Sequence, residues 1–390
     1  MMALNGNWHY PTAIRFGAGR RSELAEACRG LNIQRPLLVT DSGLSAMPWL
    51  AAMRLDLQAA GLTQALFSDV RANPGGRDVA AGVQAYRAGS HDGVVAVGGG
   101  SALDVGKTIA LMAGQTRVLW DFEDEGANWE RVDAAAMAPC IAVPTTAGTG
   151  SEVGRAAVIV DEAAKRKVII FHPHMLPQVV IADPELCVGL PPHLTAATGI
   201  DALVHNLEAF CAPSYHPLAQ GVALEGLRLI HDYLPRAYAD GADIEARGHM
   251  LAASLMGATA FQKGLGAVHA LAHPIGAVFD VHHGLANAIL LPYVLQRNRD
   301  AIATRLGPLS LYLGLPEHGF RGVLQWVLTL RAALGIPASL SDVGIDMDQA
   351  DAIAAAAKRD PSDGGNPMLW TQADYRAVFE AAVKGRLDHA

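Results

Sequence analysis

The stretch VVAVGGGSALDVGK, residues 94–107, decides the fold class. Its first four residues are a continuous apolar run that reads as a strand. Three glycines follow, and then an apolar pattern of helical period over 101–113. Glycines let the backbone turn sharply and approach a ligand closely, and the free N–H groups at a helix start favour an anion. The stretch therefore predicts a strand, a phosphate-binding turn and a helix, although the G-x-G-x-x-G fingerprint is absent.

Working outward, the same alternation recurs. PLLVT (36–40) reads as a strand, 44–60 as a helix, 64–67 as a strand, 77–89 as a helix and 140–143 as a further strand. Strands alternating with helices at this spacing predict βαβ units around a mostly parallel, Rossmann-like sheet. The polar segment 121–133 reads as a surface loop. The runs 156–160 and 167–171 read as a hairpin added antiparallel to that sheet. A second small-residue loop, PTTAGTGSE (144–152), follows the strand 140–143 and would line the same crevice at the strand ends. Asp41 closes the strand 36–40, where a carboxylate either accepts from ribose hydroxyls, repelling a 2′-phosphate, or caps the next helix.

After residues 181–184 the pattern changes. The segments 195–211, 218–238, 244–264, 267–278, parts of 301–335 and 347–358 all carry a 3.6-residue period. A chain of 390 residues exceeds one ordinary core. Two domains are expected: an α/β dinucleotide-binding domain over 1–187 and an all-helical metal-binding domain over 188–390.

Composition narrows the function. Apolar residues make up 51 % and charged residues 17 %, which excludes a disordered chain. The formal charge of −8 comes without a basic tract, which argues against nucleic acid as partner. The most apolar region, 250–279, is broken by Gln262, Lys263, His269, His273 and Pro274, so no membrane span is expected. The N-terminus lacks a basic start and an apolar stretch, so no signal peptide is read. Cys28, Cys140, Cys187 and Cys211 are scattered, as packing residues of a cytoplasmic protein would be.

The helical half gathers imidazoles. Asp201 and His205 lie four residues apart on one helix face, and His269 and His273 repeat that spacing. His282 and His283 follow at a helix end. One carboxylate with several imidazoles suits Fe(II), Zn(II), Mn(II) or Co(II). So many polar groups in apolar helices are costly unless something binds them. His231 and His249, standing singly, read as packing residues. Spacing alone leaves open which histidines coordinate, and whether the site serves a hydrolase, a lyase or a dehydrogenase.

GLPPHLTAATGIDALVHNLEAF (189–210) and GLGAVHALAHPIGAVFDVHHGLANAILLPYV (264–294) resemble the two metal signatures of the iron-containing (group III) alcohol dehydrogenases. GGGSALDVGK (98–107) and PTTAGTGSE (144–152) resemble that family's nucleotide loops, and GGNP (364–367) continues the likeness weakly. The resemblance implies a dehydroquinate-synthase-like architecture with the active site in a cleft between the domains. It implies a divalent ion on Asp201, His205, His269 and His283, with Fe2+ favoured and Zn2+ the alternative. His273 would stand near substrate and nicotinamide without binding metal. Gly99, Gly100, Ser101 and Asp104 would hold the pyrophosphate and ribose. Thr145, Thr146, Thr149 and Lys167 would complete the cofactor site, with Asp41 and Asn73 towards adenosine. The implied activity is reversible hydride transfer between NAD, rather than NADP, and a small alcohol or aldehyde, in a homodimer or higher oligomer. His282 stands where the family usually shows Pro, and Arg155 departs from the common pattern after TGSE. Glycerol-dehydrogenase-like and maleylacetate-reductase-like enzymes, and a dehydroquinate-synthase-like lyase, are the rival readings.

Overall fold

The computed structural model describes residues 12–164 and 166–387; the segment 1–11, from which no signal peptide was read, lies outside the described residues. The chain forms two compact units and passes from one to the other between Val188 and Gly189.

The first unit carries strands β1 (Ala13–Phe16), β2 (Pro36–Asp41), β3 (Ala65–Val70), β4 (Gly93–Gly98), β5 (Cys140–Pro144), β6 (Ala156–Asp161), β7 (Arg166–Phe171) and β8 (Val179–Ala182). Its helices are α1 (Leu24–Gly30), α2 (Ser42–Ser45), α3 (Pro48–Ala59), α4 (Gly76–Ala88) and α5 (Gly100–Met112). Six strands form one parallel sheet in the order β1-β8-β5-β4-β2-β3. Strands β4 and β5 are buried along their whole length, which explains their uninterrupted apolar sequence. One face packs Leu24, Cys28, Leu50 and Leu57 of α1 and α3 against Leu38, Val95, Val97 and Ile141. The other takes α5 so closely that a Cβ at Gly106 would lie 2.4 Å from the Ala96 methyl.

Three expectations are corrected here. The sheet begins before Pro36, because the short strands β1 and β8 pair at its edge in register Ala13↔Val179 to Phe16↔Ala182. Four-residue strands are too short to show a clear period. The helix read over 44–60 is two helices, since Pro48 has no N–H to continue the first and instead starts the second. The hairpin β6–β7 is antiparallel, but it forms its own two-stranded sheet and does not extend the main one.

The second unit is helical: α6 (Pro192–Cys211), α7 (Pro217–Ala239), α8 (Ile244–Ala260), α9 (Ala267–Phe279), α10 (His283–Tyr312), α11 (Gly319–Ala333), α12 (Ala350–Arg359) and α13 (Gln372–Lys384). Helix α6 is buried from Thr195 to Cys211, so it runs through the core rather than over it. Its last carbonyls, and that of the capping Ala212, are met by the buried Lys263 and the half-buried Arg305. Lys263 Nζ donates to Ala209 O at 2.9 Å and Ala212 O at 2.6 Å, and Arg305 donates to Cys211 O at 2.5 Å. His283, expected at a helix end, opens the 30-residue α10, which continues through Pro292 and Pro308. Among the described residues, no helix is long and apolar enough to cross a membrane.

Candidate functional site

The α/β unit builds its site from backbone. Strand β2 leads through α3 to β3 on one side, whereas β4 leads through α5 to β5 on the other. Ligands of open α/β sheets bind at such a reversal, beyond the carboxyl ends of the strands. Asp41 ends β2, Gly98 ends β4 and Gly100 opens α5, and an ideal Cβ on Gly98 would lie 3.7 Å from Asp41 Oδ2. Gly98 has φ +147°, a conformation that favours glycine. Asp41 Oδ1 accepts from Leu44 N at 3.0 Å, so the helix-capping alternative describes one of its oxygens.

The two nucleotide loops pack on each other. Thr145 N donates to Gly98 O at 3.0 Å. A Cβ on Gly99 would sit 3.3 Å from Thr146 Oγ1, and one on Gly100 would sit 2.7 Å from Thr149 Cγ2. Asp104, expected to reach cofactor, accepts instead from Ser151 Oγ at 2.5 Å and Val158 N at 2.8 Å. Lys107, one turn on and fully buried, donates to Ser151 O at 2.9 Å. The pair latches the second loop and β6 onto α5. Ser101 Oγ donates to Ala72 O, beside Asn73, at 2.5 Å. Val160 N donates to Pro74 O at 2.8 Å, and Lys167 is the strand partner of Val160. All ten expected cofactor residues thus lie on the ends of β2, β4 and β5 or on the segments docked there. Arg155 lies over the Phe171 ring, 5.6 Å from its centroid.

The helical unit builds its site from side chains. Asp201, His205 and His269 are buried, and each offers a ligand atom within 4.8 Å of the other two. His283 Nε2 lies 3.6 Å from Asp201 Oδ1. An ion about 2.1 Å from four tetrahedral donors needs those donors roughly 3.4 Å apart; the Asp201–His283 separation is close to that, and the donors of Asp201, His205 and His269 fall within the wider 4.8 Å. A glycine makes the approach possible. At Gly284 a Cβ would lie 2.3 Å from Ala197 O and 3.2 Å from Asp201 Cβ, so α10 starts in contact with α6. His282 stands one residue outside α10 and is exposed. His231 packs edge-on to Trp326 and His249 stacks on Tyr233, neither of them in the ligand set.

Three residues complete the site that sequence reading passed over. Glu208 accepts from His269 Nδ1 at 2.7 Å, from Gly266 N at 2.9 Å and from Val268 N at 2.8 Å. It caps the start of α9 from another helix, where a carboxylate is favoured. It also leaves His269 Nε2 for an ion. Burial pushes the Glu208 carboxyl up to about 7, against the backbone donors that lower it. Burial, and next the neighbouring His205 ring, hold His269 well below its ordinary value, which keeps the ring neutral as ligation requires. Asn287 Nδ2 donates to Asp201 Oδ1 at 2.7 Å and lies 3.2 Å from His283 Nε2. His273, like His283, stands outside the buried Asp201–His205–His269 group; its ring stacks on His283 at 5.4 Å, and its Nδ1 is 2.8 Å from Asp360 Oδ2. One signal for Glu208 was available: it follows Asp201 and His205 by seven and three residues, on the same helix face.

Residues 11–184 match the iron-containing alcohol dehydrogenase family, and residues 195–383 match the C-terminal domain of the same family. The chain belongs to the iron-containing alcohol dehydrogenases. The enzyme is 40 % identical over 386 residues to a 4-hydroxybutyrate dehydrogenase of Cupriavidus necator, covering 96 % of this chain and 99 % of the relative. It is 33 % identical over 384 residues to an NAD-dependent methanol dehydrogenase of Bacillus methanolicus, covering 97 % and 100 %. A crystal structure of 1,3-propanediol oxidoreductase matches with a TM-score of 0.92 at 33 % identity, covering 96 % of this chain and 99 % of that one. The chain is therefore an oxidoreductase of the alcohol dehydrogenase type, from a family described as iron-containing.

Proposed function

We propose that one divalent ion, iron(II) ahead of zinc, is held by Asp201, His205, His269 and His283, and that the enzyme interconverts a small primary alcohol and its aldehyde. The observation that carries this is the buried convergence of one carboxylate and two imidazoles within 4.8 Å, with His283 Nε2 at 3.6 Å from the carboxylate. When bound, the ion polarises the alcohol or carbonyl oxygen, and the nicotinamide accepts or donates the hydride. The chain's own groups hold and orient. Glu208 and Asn287 fix the ligand atoms, and the neutral state of His269 preserves its lone pair. His273 is assigned to the substrate side, as acceptor of the hydroxyl proton. The α/β domain, ending near residue 187, would hold the cofactor. Gly99, Gly100 and Ser101 would meet the pyrophosphate, with Thr145, Thr146, Thr149 and Lys167 around it. Asp104 would act through the loop it latches. Asp41 and Asn73 are assigned to the adenosine side, and the Asp41 charge favours NAD over NADP.

Among substrates, 4-hydroxybutyrate heads the list, because the relative named for it shares 40 % identity. A cytoplasmic homodimer or higher oligomer is the proposed working form. The test is anaerobic purification with metal analysis, then a panel of short alcohols, diols and hydroxy acids with NAD(H) and NADP(H). One ion per chain and NAD-linked turnover of a terminal alcohol are expected. A metal-free chain with full turnover would sink the ligand assignment.

A further inference from the structure

Helix α12 ends at Arg359, and Asp360 begins the turn DPSDGGNP (360–367). This turn is pinned to the start of α9. Asn366 Oδ1 accepts from Ala267 N at 3.3 Å and from Asn298 Nδ2 at 2.8 Å. Gly365 lies so close to the opposite strand of chain that a Cβ would be 2.0 Å from Leu265 O. Asp363 is held from both sides, by Tyr375 Oη and by Lys358 Nζ, each at 2.7 Å. The turn is thus a rigid part of the helical unit, and it carries one carboxylate towards the histidines.

That carboxylate divides its work. Asp360 Oδ1 accepts from Ser362 N at 2.8 Å, an ordinary cap of the turn. Oδ2 has a different partner, His273 Nδ1, at 2.8 Å. Burial alone would raise the Asp360 carboxyl, but His273 and Ser362 together hold it below its ordinary value. The arrangement repeats the pairing of Glu208 with His269 four residues earlier on the same helix face, where the carboxylate likewise meets Nδ1.

We propose that Asp360 is the positioning residue of His273: its Oδ2 holds the Nδ1–H tautomer and leaves Nε2 as the working atom beside the ligand set. This rests on the reading of His273 as the substrate-side group. With Nδ1–H bonded to the carboxylate at 2.8 Å, the Nε2 lone pair is the one left to accept the hydroxyl proton in alcohol oxidation. In aldehyde reduction the proton returns along the same path. The alternative is that Asp360 only caps its turn.

The test uses the full-length, zinc-loaded enzyme with Asp360→Asn, Asp360→Glu and Asp360→Ala. Asparagine retains an acceptor for Ser362 N but offers an N–H to His273, which favours the opposite tautomer. Asp360→Asn should keep one zinc per chain and an unchanged KM for NAD, while kcat falls on the order of 10²- to 10⁴-fold, the usual contribution of a positioned acid–base group. Nitrogen-15 spectra should show His273 moving from Nδ1–H to Nε2–H. Asp360→Glu should restore the tautomer and part of kcat, whereas Asp360→Ala should lose both that state and turn stability. An unchanged kcat and tautomer in Asp360→Asn would overturn the proposal. So would a loss of kcat that follows zinc loss with the tautomer unmoved. Full kcat in His273→Ala would break the reading of His273 itself, and the tautomer measurement would still decide what Asp360 does.

Discussion

The nucleotide loops and the histidine cluster are built on opposite plans. At Gly98–Gly100 and 144–152 the proposed site is backbone, shaped by missing side chains: Thr149 occupies the space a Cβ on Gly100 would need, and a Cβ on Gly99 would crowd Thr146. At Asp201, His205, His269 and His283 the proposed site is side chain, drawn from three helices, with Glu208 bonded to His269 and Asn287 to Asp201. A backbone site follows from a short local sequence. A side-chain site depends on long-range packing, so a substitution distant in sequence can empty it.

The largest expected effect breaks the helical half outright. His269→Ala should lose most bound metal, and turnover should fall with it by several kcal/mol of transition-state stabilisation, roughly 10³-fold or more. Metal analysis beside NADH-binding fluorescence checks this, and unchanged NADH affinity would confirm that the two plans are separable. Gly100→Ala is the mirror experiment. Its Cβ would meet Thr149 Cγ2 at 2.7 Å, an overpacking cost of about 1–3 kcal/mol. NAD affinity should fall on the order of tenfold or more while metal content stays full.

Glu208→Gln sharpens the comparison, because it alters no proposed ligand. Loss of the carboxylate beside His269 Nδ1 should weaken metal binding about 10- to 100-fold in chelator competition, the usual consequence for a partner of a ligating histidine. An unaltered affinity would reduce Glu208 to a helix cap. Asp41→Asn should be mildest. It keeps an acceptor for Leu44 N and removes only a repulsion worth roughly 1 kcal/mol in an aqueous setting. NADP-linked turnover should rise several-fold relative to NAD-linked turnover, with stability unchanged in a thermal melt.

Legibility followed the same division. The buried strands β4 and β5 and the glycines between strand and helix were readable, since both signals sit within a few residues. Strands β1 and β8 were not, because four residues paired at a sheet edge have no period of their own. The Leu44–Ala60 reading missed Pro48, whose absent N–H separates α2 from α3. Asp104 carried a motif position but no sign that Ser151 and Val158 would take its oxygens. Asp360 lies 87 residues from His273, and nothing local marks it as a partner.

The sequence by itself determined the βαβ grammar and the glycine turns at 98–100, because each rests on spacing along one strand, turn or helix; in the helical half spacing gathered one acid with several imidazoles, and only the family resemblance singled out four of them. Only the tertiary structure decided which atoms those candidates present. The close crossing of α10 over α6 at Gly284 sets His283 beside Asp201. Glu208 and Asp360, each arriving from another part of the chain, engage the Nδ1 atoms of His269 and His273. A ring nitrogen is selected by what bonds its neighbour, and that neighbour is a matter of packing rather than of sequence order.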